Sequence, residues 1–131
     1  METFPVVVNL VIMQADPMDQ EKMRFAFIEE ENILGLPERY LDGKTTAYDA
    51  CVELADRYIH ADLNWITIGP VRFYDMTLHE GREIALIFKA TIPDTIRLKK
   101  GIQWFSYEEL RLAQKRIRKE HFRVFRETLA F

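Results

Sequence analysis

The segment LPERYLDGKTTAYDACVELADRYI, residues 36–59, carries the clearest local pattern in the chain. Its second half has the spacing of an amphipathic helix, because small and apolar residues recur every three or four positions. These residues are Ala47, Ala50, Cys51, Leu54 and Tyr58. Thr46, followed by Asp49 three positions later, is typical of a helix capping box. The pattern predicts a helix over residues 45–60, preceded by a loop that starts at Leu36-Pro37.

Two strands are predicted before this segment. Residues 6–13 form an apolar, β-branched run, and Asp16-Pro17 begins the turn that ends it. Residues 23–29 then alternate, with Met23, Phe25 and Phe27 on one face. We expect the two strands to form a hairpin.

Strands and one more helix are predicted after the segment. Residues 65–74 and 83–91 alternate around a turn near Glu80-Gly81, and residues 103–105 look like a short closing strand. Ser106 and Glu109 form a second capping box, which opens a helix expected to run to about Glu127. The expected buried side of that helix consists of Leu110, Ala113, Ile117, His121 and Val124. This order of elements predicts an α/β fold with a mixed sheet covered by helices.

Composition bounds the class of protein. The 131 residues are 48% apolar and 30% charged, which excludes a disordered tail and a disulfide-stapled miniprotein. The single cysteine, Cys51, lies on the apolar stripe of its helix and is predicted to be a buried, unreactive thiol. The apolar run over residues 4–13 is too short to cross a bilayer, so we expect a cytoplasmic protein with no membrane role.

Residues 36–59 resemble the loop, helix and loop of the Nudix hydrolases, whose signature is G-x5-E-x7-R-E-U-x-E-E-x-G-U, with U an aliphatic residue. The order of the other predicted elements, including Ile102–Leu110 before the last helix, is similar to the Nudix order over nearly the whole chain. The resemblance implies a single Nudix-like domain over residues 1–131, folded as an α/β/α sandwich. It also implies Mg²⁺ or Mn²⁺ as the cofactor of any active enzyme and a diphosphate as its substrate.

Several positions depart from the signature. Lys44 and Arg57 stand where two glutamates belong, Val52 replaces the arginine, and Ile59 replaces the glycine that ends the helix. In the preceding loop, Glu38-Arg39 replaces the paired glycines that usually follow Leu-Pro.

Some carboxylates remain in the box. Glu53 and Asp56 match acidic positions, so the resemblance makes them the candidate catalytic residues. Asp49, Glu53 and Asp56 lie at i, i+4 and i+7 of one helix face, which makes the three candidate metal ligands. The alternative is that Glu53 pairs with Arg57 and that the acidic face is simply solvated.

The exchanged charges suggest what this site does. Lys44, Arg57 and Arg39 are candidate contacts for phosphate oxygens, since a lysine or arginine holds phosphate but supplies no metal-bound hydroxide. We therefore expect a Nudix-fold protein with an incomplete box that binds a nucleotide or a protein and has weak or no hydrolase activity. The alternative is an Mg²⁺- or Mn²⁺-dependent pyrophosphohydrolase acting on a nucleoside diphosphate linked to another moiety. The sequence leaves open whether the protein is an enzyme.

Charge is unevenly distributed along the chain. Residues 1–62 contain 13 acids and 5 bases, whereas residues 63–131 contain 8 acids and 13 bases. Seven of these bases lie in the predicted last helix, namely Arg111, Lys115, Arg116, Arg118, Lys119, Arg123 and Arg126. They suggest a nucleic-acid stripe or an ordinary solvated face, and we favour the solvated face.

Two other groups of residues receive structural roles. The histidines, His60, His79 and His121, lack metal-ligand spacing and are interpreted as structural. Phe122, Phe125, Leu129 and Phe131 are expected to pack on the sheet or on a second copy of the chain, which leaves a homodimer or a protein partner open.

Overall fold

A computed structural model describes residues 4–16, 19–60, 67–78, 81–93 and 95–129. His79, Glu80 and Phe131 lie outside these ranges, so the expectations that rest on them are not tested. The described strands are β1 (Val6–Asp16), β2 (Asp19–Glu30), β3 (Ile33–Gly35), β4 (Glu38–Tyr40), β5 (Ile59–His60), β6 (Thr67–Leu78), β7 (Gly81–Ile92), β8 (Arg97–Leu98) and β9 (Ile102–Ser106). The described helices are α1 (Ala47–Tyr58), α2 (Tyr107–Leu112) and α3 (Lys119–Leu129), with a 3₁₀ turn at Gln114–Arg116.

The main sheet is mixed, as the order of elements predicts. Its strand order is β3-β2-β1-β7-β6, with β4 also paired to β1 and β9 also paired to β2. The central pair, β1 and β7, is parallel from Val6↔Ile84 to Gln14↔Ile92. The β1–β2 and β6–β7 hairpins are antiparallel, which confirms both predicted pairings.

Helices cover both faces of this sheet. Residues of β1 alternate between the two faces, so one strand contributes to both cores. Val8, Leu10 and Ile12 pack with α1 residues, whereas Val7 and Val11 pack with α3 residues. Phe25 on β2 meets Phe125 on α3 edge to face, with ring centroids 4.7 Å apart. The predicted α/β/α layering is therefore confirmed.

Helix α1 begins at Ala47 and ends at Tyr58, so it is shorter at both ends than predicted. Thr46 is its N-cap, and the Thr46 hydroxyl accepts the backbone N–H of Asp49 at 3.1 Å. At the other end, Ile59 leaves the helix for an extended strand, a conformation that β-branched residues favour. Cys51 is fully buried, and this burial raises the pKa of its thiol to about 12, in line with the expectation of an unreactive cysteine.

The prediction of one continuous helix from Ser106 to about Glu127 is wrong. The Ser106–Glu109 capping box is present, but α2 ends at Leu112 and α3 begins only at Lys119. Between them, Ile117 forms a parallel bridge with Leu34, and the Arg118 N–H donates to the Leu34 carbonyl at 3.0 Å. Pairing with strand β3 thus replaces helical hydrogen bonds that the local sequence would support.

The buried side of this region was nevertheless predicted correctly. Leu110, Ile117, His121 and Val124 are all buried, and Ala113 is partly buried against the same core. Phe125 is buried and Phe122 packs against the same core. These two aromatic rings therefore lie against the sheet, which was one of the two positions expected for them. In the part of the chain that the structure describes, no helix has the length and apolar character needed to cross a bilayer.

Candidate functional site

The loop before α1 is held in shape by Asp42. Its Oδ1 accepts the backbone N–H of Lys44 at 2.8 Å and that of Thr45 at 3.2 Å. The hydrogen bond from Lys44 is the main cause that lowers the pKa of the Asp42 carboxyl. Gly43 has φ +84°, a left-handed conformation that glycine adopts without steric cost. The loop therefore places Lys44 at the exposed start of α1.

Arg39 and Glu53 connect strand β4 to helix α1. The Arg39 guanidinium forms an ion pair with the Glu53 carboxylate, and it also donates to the Thr45 hydroxyl at 3.4 Å. The Arg39 side chain is 30% exposed and the Glu53 side chain is 58% exposed, so the pair lies at the rim of the helix. Glu53 thus pairs with Arg39 and not with Arg57, the alternative partner considered from the sequence. Arg57 instead lies with its guanidinium carbon 6.0 Å from the centroid of the Tyr58 ring.

The three candidate metal ligands, Asp49, Glu53 and Asp56, are exposed residues of α1. Among the described residues, no three His, Cys, Asp or Glu side chains are arranged to hold a metal ion. Mg²⁺ requires several oxygen ligands in a near-octahedral arrangement, and Glu53 is already paired with a cation. The donor set does not fit a divalent cation in this arrangement. The catalytic roles of Glu53 and Asp56 and the metal role of the trio stay predictions.

The other end of α1 involves a lysine that sequence reasoning missed. Lys99 follows β8, and its Nζ donates to the Asp56 carbonyl at 2.7 Å. The Lys99 backbone N–H also donates to the Tyr58 carbonyl at 2.7 Å. Lys99 therefore places a cation at the negative end of the helix dipole. No local signal marks this contact, because it depends on the distant pairing of β5 with β8.

A cavity of about 720 Å³ lies on the opposite side of β4, between the end of β2, strand β3 and the start of α3. Its lining mixes apolar and charged residues: Ile28, Glu30, Glu31, Ile33, Gly35, Leu36, Glu38, Arg118 and His121. Two neighbouring residues of β4 therefore have different surroundings. Glu38 lines the cavity, whereas Arg39 pairs with Glu53 of α1.

His121 lines the cavity and is almost fully buried, at 1% exposure. Its Nδ1 accepts the Leu36 N–H at 2.9 Å, and its Nε2 lies 2.9 Å from Oε2 of Glu38. Because Nδ1 is an acceptor, the ring carries its proton on Nε2 and donates it to Glu38. The structural role predicted for His121 is consistent with these contacts, although the sequence did not indicate its partners.

Arg118 completes this network from its position just before α3. It donates to Oε1 of Glu38 at 2.8 Å and to Glu120 at 2.6 Å. Partial burial alone would raise the pKa of Glu38, but the hydrogen bonds from His121 and Arg118 and the charge of Arg118 outweigh burial and lower the pKa. Glu38 is therefore held as a carboxylate.

Several of the seven basic residues expected on the last helix form ion pairs with acidic side chains. Arg111 pairs with Glu108, Arg116 with Glu29, and Arg118 with Glu38 and Glu120. These arginines lie on separate elements rather than on one continuous helix. The arrangement favours the solvated-face interpretation.

Solved structures with the same arrangement of strands and helices identify the fold. A C. elegans Ap4A hydrolase matches over 98% of both chains, with 14% sequence identity and a TM-score of 0.69. The Nudix domain of Shewanella oneidensis NrtR, complexed with ADP ribose, matches 99% of this chain and 89% of that chain, with 10% identity and a TM-score of 0.75. The chain has the Nudix fold.

A third Nudix-fold match extends this comparison. A bifunctional NMN adenylyltransferase/ADP ribose pyrophosphatase from Francisella tularensis, complexed with AMP and a Mn ion, has 13% identity and a TM-score of 0.72. The match covers 99% of this chain but only 42% of that chain. Neither protein-family models nor curated protein sequences match this chain. The likeness is one of fold, and the chemistry of this Nudix-fold chain must be argued from its own residues.

Proposed function

We propose that this Nudix-fold chain binds a nucleotide or a nucleotide-derived molecule and hydrolyses it weakly or not at all. The observation that carries the proposal is the ion pair between Arg39 and Glu53. A guanidinium holds the carboxylate that a hydrolytic Nudix site would need for its metal. Arginine donates hydrogen bonds and carries a positive charge, but it cannot activate a water molecule as a divalent cation does.

Two further cations of the box act in the same direction as this ion pair. Half-exposed pairs contribute about 0–1 kcal/mol, so a tightly held metal would displace Arg39. Metal binding is weakened further by the box itself, in which Lys44 and Arg57 stand where the signature has glutamates. Each exchange removes oxygen ligands and adds a positive charge that repels a divalent ion. The three cations together favour phosphate binding over metal binding.

The cavity provides a place for the rest of the ligand. Its volume of about 720 Å³ lies within the range of small-molecule sites. Ile28, Ile33 and Leu36 offer apolar surface for a planar ring, whereas the glutamates of the lining disfavour a phosphate inside the cavity. In this proposal the ring system occupies the cavity and the phosphates lie outside it.

Ligands in two fold relatives support this ligand class. The NrtR Nudix domain was solved with ADP ribose, and the Francisella tularensis enzyme was solved with AMP. A cytoplasmic location and a possible homodimer are further parts of the proposal, to be measured by cell fractionation and by sedimentation.

Binding and turnover separate the proposal from the hydrolase alternative. We expect ADP ribose or AMP to bind the full chain in EDTA, measured by calorimetry, and to release no product in Mg²⁺ or Mn²⁺. Metal-dependent cleavage that is lost in Glu53→Gln would contradict the proposal and favour a pyrophosphohydrolase that uses Asp49, Glu53 and Asp56. Cleavage that persists in Glu53→Gln would also contradict it, and would remove Glu53 from the metal site.

A further inference from the structure

A small ribbon of two strands, β5 and β8, presents basic side chains to solvent. Ile59 pairs with Leu98, and His60 pairs directly with Arg97. Ile59 is buried and Leu98 is partly buried, so their neighbours in this antiparallel pair, His60 and Arg97, project from the opposite face. Both His60 and Arg97 are exposed.

Hydrogen bonds attach this ribbon to the end of α1. The Lys99 N–H donates to the Tyr58 carbonyl, and the Lys99 Nζ donates to the Asp56 carbonyl. These bonds bring Lys100 and the last helical turn, which contains Arg57, to the same end of the molecule as the ribbon. Arg57 and Lys100 are also exposed. We call Arg57, His60, Arg97 and Lys100 the ribbon cluster.

Ion pairing within the described part of the chain does not account for these four basic residues. Lys99 has an ordinary role as a cation at a helix C-terminus, but the ribbon cluster forms no ion pair with any carboxylate in the described ranges. Asp56 is the one carboxylate described near it in the last turn of α1 and residues 95–101. Basic side chains placed directly opposite each other on a two-stranded ribbon gain nothing from that pairing.

We infer that the ribbon cluster binds the phosphate groups of a ligand that carries two or more phosphates. The inference rests on the proposed function and extends the phosphate contacts from Arg57 to the ribbon at the end of α1. The C-terminal end of a helix repels anions, since its carbonyls carry partial negative charge. The Lys99 ammonium offsets that charge at the Asp56 carbonyl, and the positive charges of Arg57, Arg97 and Lys100 attract phosphate.

The test is calorimetric titration of the full chain with sodium tripolyphosphate in EDTA. The variant Arg97→Gln/Lys100→Gln removes two charges from the ribbon cluster. The matched control, Lys119→Gln/Arg123→Gln, removes two exposed charges from α3. We expect the ribbon variant to bind tripolyphosphate about tenfold more weakly and the control to stay within about twofold of the unaltered chain. The charge-preserving variant Arg97→Lys/Lys100→Arg should retain most of the binding.

Several results would overturn the inference. Tripolyphosphate also binds basic surfaces without specificity, so an equal loss in both double variants would refute a specific site. Absence of binding to the unaltered chain would refute it directly. Tighter binding of a single-stranded oligonucleotide, lost in the α3 control variant, would place the phosphate site on α3 instead.

A nucleotide titration distinguishes this inference from the proposed function. Equal ADP ribose binding by the unaltered chain and the ribbon variant would refute the ribbon cluster and leave the proposed function standing. Tripolyphosphate binding that depends on the ribbon, with no binding of ADP ribose or AMP, would support the cluster and refute the proposed function.

Discussion

The Arg39 guanidinium on β4 is paired with the Glu53 carboxylate on α1, across the junction between a loop and the helix that follows it. The pair connects strand β4 to the middle of helix α1. It also fixes the rim of α1 near Thr45, to which Arg39 donates a second hydrogen bond. The chain thereby satisfies Glu53 with one of its own side chains.

Replacing Arg39 should release Glu53 for metal binding. We expect Arg39→Gln to lower the free energy of unfolding by only about 0–1 kcal/mol, because the pair is partly exposed. We also expect Mn²⁺ to raise the thermal midpoint of Arg39→Gln more than that of the unaltered chain. Arg24→Gln, which removes an exposed arginine on β2, is the control. An identical Mn²⁺ response in all three proteins would show that Arg39 does not limit metal binding.

His121 should contribute strongly to stability. Replacing it with alanine leaves the buried Leu36 N–H without its acceptor and removes the partner of Glu38. We expect His121→Ala to lower the free energy of unfolding by about 2–4 kcal/mol in urea titrations. Arg123→Ala, at an exposed position of the same helix, should change it by less than about 0.5 kcal/mol. Similar values for the two variants would contradict the network described around His121.

Glu38 should make stability depend on acid pH. Its pKa is lowered from an ordinary 4.5, because His121 and Arg118 favour the carboxylate. The resulting stabilisation is present above pH 4.5 and is lost as the pH falls through the lower folded-state pKa. In urea titrations between about pH 3 and pH 6, Glu38→Gln should therefore show a smaller loss of stability on acidification. Parallel pH profiles for the two proteins would contradict this role.

Gly35 should be intolerant of a side chain. A Cβ at this position would lie 3.1 Å from Nδ1 of His121, whereas a Cβ at Gly69 would meet no atom within 4 Å. We expect Gly35→Ala to destabilise the protein by about 1–3 kcal/mol through overpacking and to weaken ADP ribose binding in the adjoining cavity. Gly69→Ala should have little effect on either quantity. Unchanged stability and binding in Gly35→Ala would show that His121 shifts freely.

The sequence predicted the fold where the pattern was local. The alternation of β2, the stripe of α1 and the two hairpins follow directly from side-chain periodicity. The break between α2 and α3 could not be predicted in this way, since it depends on the hydrogen bond from Arg118 to Leu34. Local periodicity indicates which side is buried, but it does not indicate when a distant strand will capture the backbone.

The candidate site was predictable only in part. The resemblance singled out Arg39 and Glu53 as separate candidates, but their pairing spans a loop whose conformation no motif specifies. The contacts of His121 with Leu36 and Glu38 join residues more than eighty positions apart. The basic face of the β5–β8 ribbon likewise emerges only when two short strands, distant in sequence, are paired.

The most direct test of the account is calorimetric titration of the full chain with ADP ribose in EDTA, followed by chromatography of the same mixture after excess Mn²⁺ is added. We expect saturable binding without metal and intact ADP ribose after prolonged incubation. Binding that requires Mn²⁺, together with rapid release of AMP, would contradict it.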